Sequence, residues 1–244
     1  MRRLALLLPL AAALAGPATA AAAPASVRVV ECTPSLDAEA RSATFEARIR
    51  ASDGTDRLQV RFTLQTRTQG ELGYRRVLAP GFGVWLTSDR GVARYSYAKT
   101  IANLAAPASY RMIVRFRWLD ADGESLRTAK RTSAPCRQPD LRPDLVAEEI
   151  TVEPVPDPDL RRYVVALRNT GRTAAAPSAL TLRVGARPPV TRTVLALERA
   201  TTRSIAFTAP ACAPSETLEV VADAAEEVDE AHEENILTLP CPAG

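Results

Sequence analysis

Histidine is nearly absent from this 244-residue chain: His232 is the only one, and methionine and tryptophan appear twice each. That scarcity excludes most side-chain catalysis. A serine or cysteine triad needs a positioned base, usually histidine, and the sequence has no HExxH, no P-loop and no Gly-x-Ser-x-Gly. A glycosidase needs two carboxylates about 5–9 Å apart across a cleft, whereas here the acidic residues crowd into one connection, 223–234. Long apolar runs are also missing. Past the first residues nothing approaches the roughly 20 apolar residues of a membrane span, and the last residues, Leu239 to Gly244, form no hydrophobic tail. These absences predict a protein that is no enzyme, carries no cofactor and does not span the membrane. Nucleic acid is not expected either, since the chain looks exported and has no recognition motif.

Among the features present, the N-terminus has Arg2 and Arg3, an apolar run over 4–14 and then small residues. This is the order of a secretory signal peptide, assigned to residues 1–25, with cleavage after Ala20, Ala23 or Ala25. Cys32 lacks the small-residue context of a lipoprotein site. The expected location is therefore secreted, extracellular or associated with the cell envelope. Four cysteines in an exported chain read as disulfides, and four allow three pairings. Locality selects Cys32 with Cys136, joining the first and last strands of the first half, and Cys212 with Cys241, closing the hairpin of the second; a zinc site built from all four would have to bridge both halves. Lys99 and Lys130 are the only lysines, and the abundance of arginine, alanine and proline indicates a GC-rich, actinobacterial genome.

The net charge of +3 conceals a division. Residues 26–138 hold 19 Lys plus Arg against 11 Asp plus Glu, hence +8; residues 139–244 hold 10 against 17, hence −7. Either the two surfaces are simply solvated by opposite charges, or the basic half meets an acidic envelope polymer or docks on the acidic half.

Period-2 alternation fills residues 26–138. Val27 and Val29 alternate in 26–31; Phe45, Ala47 and Ile49 share one face; Leu58, Val60, Phe62 and Leu64 share another. Further strands are expected at 84–86, at 92–101 with Tyr95 and Tyr97 facing one way, and at 124–131. The strongest covers 110–118: Tyr110, Met112, Val114, Phe116 and Trp118 point inward, Arg111, Arg115 and Arg117 outward, and Ile113 breaks the polar row. Asp53-Gly54 and Asp120-Ala121-Asp122-Gly123 mark turns. About seven strands without helical period predict an antiparallel β-sandwich of immunoglobulin-like architecture. The arginine row is either a solvated face or a docking stripe. Trp85, beside Gly81-Phe82-Gly83, is either an exposed sugar-stacking aromatic or a packing residue.

Residues 139–143 read as a stiff proline-rich linker, with Pro-Asp-Leu occurring at 139–141 and again at 143–145. In the second half, 144–244, strands are expected at 162–168 (Tyr163, Val165 and Leu167 on one face), 180–184, 190–197 and 203–208. Asn169-Thr170-Gly171 reads as a turn in which the glycine suits positive φ and the asparagine bonds its own backbone. The chain closes with a hairpin of strands 217–222 and 236–239, flanked by Cys212 and Cys241. Facing residues of an antiparallel pair sum to a constant, and the cysteine sum of 453 would centre the hairpin between Glu226 and Glu227. The whole is expected to be all-β, two immunoglobulin-like sandwiches in tandem after a signal peptide.

Three landmarks in this half, Pro143-Asp144-Leu145-Val146, Asn169-Thr170-Gly171, and Asp223 followed by Val228, Glu230, Glu233 and Asn235, resemble those of the bacterial cell-adhesion-related domain, CARDB. His232 and Ile236 stand where that family usually has asparagines. The resemblance implies a sandwich over about residues 143–240, appended to surface or secreted proteins and mediating contacts. In the family, the acidic stretch is a structural turn whose side chains accept backbone N–H groups. The competing reading is calcium held by Asp223, Glu230 and Glu233. His232 is expected to face solvent or bond within the turn. The functional expectation is a non-enzymatic binding or adhesion protein of the envelope, its partner a protein or an envelope polymer. The alternatives are a structural spacer, or an accessory module with affinity for a sugar polymer acted on by a separate enzyme.

Overall fold

The computed structural model describes residues 24–242, so the expected signal segment lies outside the described residues except for Pro24 and Ala25. All regular structure described is antiparallel β. Among these residues no helix is long and apolar enough to cross a membrane.

The first half comprises β1 (Ala25–Thr33), β2 (Ser42–Arg50), β3 (Arg57–Thr68), β4 (Arg75–Arg76), β5 (Trp85–Thr87), β6 (Arg94–Ala102), β7 (Ala108–Leu119), β8 (Ser125–Thr132) and β9 (Cys136–Gln138). One sheet runs β1-β2-β6. The other runs β4-β3-β7-β8, with β5 on the same edge of β3 as β4, and β9 on the same edge of β7 as β8. The predicted inward rows meet between the sheets: Phe45, Ala47 and Ile49 of β2, Leu58, Val60, Phe62 and Leu64 of β3, and Met112, Val114, Phe116 and Trp118 of β7 are all buried. Each Val, Leu, Ile, Met or Phe among them contributes roughly 1.5–3 kcal/mol by leaving water. Trp118 keeps its one polar atom satisfied by donating from Nε1 to the Arg50 carbonyl at 2.6 Å. Alternation could not have found β4 and β9, which are two and three residues long and are recruited by their longer neighbours.

The second half comprises β10 (Leu145–Pro154), β11 (Leu160–Asn169), β12 (Ser178–Val184), β13 (Val190–Val194), β14 (Thr202–Pro210), β15 (Thr217–Val221) and β16 (Ile236–Pro240). Its sheets, β10-β11-β14 and β13-β12-β15-β16, enclose a separate core around Leu145, Tyr163, Val165, Leu167, Leu182, Phe207 and Val220. Both halves thus repeat one strand order, the immunoglobulin-like one. β10 escapes a period-2 reading because a bulge between Ala147 and Glu149 shifts its phase.

The hairpin register differs from the one expected. Leu218 faces Leu239 and Val221 faces Ile236, so facing numbers sum to 457 and not 453. In this register Glu216 is level with Cys241, and the Cys241 N–H donates to the Glu216 carbonyl at 3.0 Å. Cys212 lies further back, in the connection after β14, and reaches Cys241 because a turn closed by Glu216 N–H to Ala213 O folds the chain back. The bridge therefore ties β14's sheet to β16's sheet and does not close the hairpin. Cys32 in β1 and Cys136 in β9 likewise join opposite sheets, with Cα atoms 5.5 Å apart.

The segment expected as a linker is mostly engaged. Gln138 still pairs with Ala108, while Thr173 Oγ1 donates to the Leu141 carbonyl at 2.7 Å and the Arg172 N–H to the Arg142 carbonyl at 3.1 Å. Pro139 alone stands between the last ladder of the first half and Asp140, whose carboxylate accepts from the Arg142 N–H.

The start of β1 bears on processing. Ala25 is buried opposite Ile49, and the Arg50 N–H donates to the Pro24 carbonyl at 2.9 Å. Cleavage after Ala25 would remove both contacts. If the N-terminal segment is removed as the sequence predicts, intact-mass measurement is expected to find an N-terminus at or before Pro24, consistent with cleavage after Ala20 or Ala23 but not after Ala25.

Candidate functional site

Two places concentrate charged and polar chemistry. In the second half, the connection between β15 and β16 is a clasp. Asp223, in a left-handed conformation (φ 44°) that aspartate tolerates better than most residues, accepts from the Glu227 and Val228 N–H groups at 3.0 and 2.9 Å. Buried Glu230 accepts from the Leu145 N–H with one oxygen and from the Asn235 amide with the other. Glu233 accepts from the Glu230 N–H at 3.3 Å. The three residues considered for calcium thus spend carboxylate oxygens on N–H groups. Among the described residues no group of three or more His, Cys, Asp or Glu side chains is arranged to hold a metal ion.

The clasp grips the start of the same half. The Ala231 N–H donates to the Pro143 carbonyl at 2.9 Å, and Arg142 bridges Asp140 and Asp229 at 2.8 and 2.7 Å. Hydrogen bonds to Asp140 and then Asp229 push the Arg142 guanidinium above its ordinary range. On the other side, fully buried Asn169 accepts at Oδ1 from Asp144 N–H and Gly171 N–H, and donates from Nδ2 to the Thr173 and Leu197 carbonyls. Gly171 corrects the sequence expectation. It does not have positive φ; it is required because a Cβ there would lie 2.5 Å from the backbone of Pro143 and Asp144. His232 is 69 % exposed, its Nδ1 3.5 Å from an Asp144 carboxylate oxygen.

The second place is the outer face of the first half's larger sheet. Strands β3, β4, β5, β7, β8 and β9 together contain twelve arginines and lysines and not one aspartate or glutamate. The sheet opposite is mixed: Glu46 there pairs with Arg28 and Arg48. The register lines up Trp85, Arg61, Arg115 and Lys130 straight across four strands, with adjacent strands about 4.8 Å apart. Like charges directly opposite destabilise a sheet. Among the described residues, no carboxylate lies within ion-pair distance of Arg61, Arg115, Arg117 or Lys130.

Aromatic rings hold these cations. The guanidinium carbons of Arg61 and Arg117 lie 4.7 and 4.1 Å from the Trp85 ring centre. Those of Arg67 and Arg111 lie 5.0 and 3.9 Å from Tyr74. Such contacts contribute about 0.5–2 kcal/mol each. Partial burial, then repulsion from Arg115, Arg117 and Arg76, lowers the affinity of Arg61 for its proton. Trp85 is therefore neither a bare sugar platform nor a core residue: half-buried, it serves as an arginine rest. Arg61, Arg67, Lys130 and Tyr74 were not singled out from the sequence. The signal that would have found the cations is the lack of any acid over 57–70, 90–119 and 125–138.

Two outcomes follow for the clasp. Burial, outweighing the two donated hydrogen bonds, raises the Glu230 carboxyl to about 7 from an ordinary 4.5. The folded state then holds a proton that the unfolded chain has lost, so this contribution is complete below about pH 4.5 and falls away as pH rises through about 7. Thermal melts of the second half should show stability decreasing over that window by no more than about 3 kcal/mol, with Glu230→Gln abolishing the slope. Gly171→Ala should cost about 1–3 kcal/mol by overpacking, read as a lowered melting midpoint.

No curated protein matches the sequence. Solved structures with some likeness include a class 5 fimbriae chaperone, CfaA, at 7% identity and a TM-score of 0.28, covering 89% of this chain and 100% of that one. Another is a GH2 beta-galacturonidase from Eisenbergiella tayi, at 10% identity and a TM-score of 0.29, covering 82% of this chain and 35% of that one. Likenesses this slight bear on neither function nor partner. The family comparison is more specific: residues 139–237, the half organised by Asn169, Gly171, Asp223 and Glu230, match the CARDB family.

Proposed function

We propose that this is an exported, non-enzymatic binding protein of the bacterial cell envelope, whose first half contacts an anionic envelope polymer while the CARDB half carries and positions it. The reading rests on one observation: a six-stranded sheet bearing twelve cations and no carboxylate, with a row of cations in register across its outer face. Self-repulsion of this kind is relieved by a partner of opposite charge, and a one-signed face also speeds capture of such a partner. The accessory sugar-binding alternative is less favoured where the sugar is neutral, because arginines occupy the Trp85 ring. The two disulfides and the match to an adhesion-type domain support an extracellular setting.

The test is retention of the mature protein on fractionated envelope. Retention should fall steeply as ionic strength rises from about 10 mM to about 150 mM, where the screening length shortens to about 8 Å. The double variant Arg115→Glu, Lys130→Glu should abolish it, while Arg162→Glu in the second half should leave it intact. Retention indifferent to both salt and the double variant would overturn the proposal.

A further inference from the structure

The basic face is not uniform. Between β3, β5, β7 and β8 it dips into a cavity of about 390 Å³ lined by Arg61, Trp85, Arg115, Arg117, Thr128 and Lys130. We infer that this cavity is a built site for a single oxyanion, a phosphate or carboxylate group of the polymer, seated among Arg115, Arg117 and Lys130. The inference rests on the anionic-polymer reading and deepens it from a charged surface to a recognition site.

Three features distinguish such a site from scattered surface charge. Arg115 and Lys130 are register partners, and Arg117 follows Arg115 by two residues on the same face, so three cations converge from two neighbouring strands. The guanidinium carbons of Arg61 and Arg117 lie over the Trp85 ring, and a guanidinium carries N–H donors in a planar fork that suits an oxyanion and that lysine lacks. Thr128, level with Arg117 on β8, adds a hydroxyl to the rim. Contact with the Trp85 ring restricts Arg61 and Arg117 in advance, so less of the conformational freedom that an arginine usually surrenders on binding remains to be lost.

The protein also contains its own reporter. Of its two tryptophans, Trp118 is fully buried, so a fluorescence change on ligand addition reports Trp85. The experiment titrates the mature protein with a poly(glycerol phosphate) and, separately, with a polygalacturonate, at low salt. A saturable Trp85 signal is expected with at least one polymer, the tighter one identifying the group as phosphate or carboxylate, and Trp85→Phe should remove the signal. Arg117→Lys retains the charge but loses the planar fork, and should weaken binding about tenfold. Arg131→Lys, elsewhere on β8, should leave binding within about twofold. An unchanged melting midpoint shows that each variant is folded. If Arg117→Lys binds as wild type does, the face acts by diffuse charge: the built site is overturned and the polymer reading stands. If the wild type retains neither polymer in a pull-down at low salt, both fall.

Discussion

Side chains on a strand alternate, and that constraint fixes where the cations of the first half must go. Once Val60 and Phe62 of β3 and Val114 and Phe116 of β7 are committed to the space between the sheets, Arg61 and Arg115 have no choice of side. The β3–β7 register, with Arg61 opposite Arg115, then determines which charges confront one another. Slipping the strands by one residue would drive the arginines into the core and the valines into water. The hydrophobic interior is thus what holds like charges together. Its stabilisation exceeds their mutual repulsion, screened as that is at an exposed face.

The two halves share a strand order but use their charged groups in opposite ways. In the CARDB half, the conspicuous carboxylates turn inward to the backbone. Asp223, Glu230 and Asn169 satisfy N–H groups of loops 169–173 and 223–235 and of the start of β10 that would otherwise be left unpaired, and an unsatisfied buried donor costs about 1–3 kcal/mol. In the first half, Arg61, Arg115, Arg117 and Lys130 are displayed outward with no carboxylate within ion-pair distance among the described residues. One half commits its acidic groups to its own backbone, while the other carries its basic groups on an outer face.

The contrast also explains what could be read from the chain beforehand. Long strands such as 110–118 were legible because burial imposes a period that residue types record directly. The disulfide partners were legible from locality in the chain, whereas the carboxylate-to-backbone role of the acidic turn was legible only through its resemblance to the CARDB motif. Register was not. The hairpin's facing sum is set by the irregular connection 222–235, and the turn at Ala213–Glu216 puts Cys212 four positions out of line with Cys241; neither leaves a periodic trace. Gly171 was noticed for the wrong reason, since the backbone of Pro143 that it accommodates comes from a distant part of the sequence. Trp85 acquires its role only when Arg117, 32 residues later, is brought over its ring.

The placement of the sulfur bridges has a mechanical consequence for a chain pulled at both ends. Cys32 lies in the first strand of its sandwich and Cys136 in the last, 104 positions apart, so a load passing along the chain would travel through the sulfur link and bypass nearly the entire basic sandwich. In the CARDB half the link spans only 29 positions and leaves the stretch before Cys212 in the line of force. Under traction the molecule would lengthen by unravelling that half, while the charged surface kept its shape.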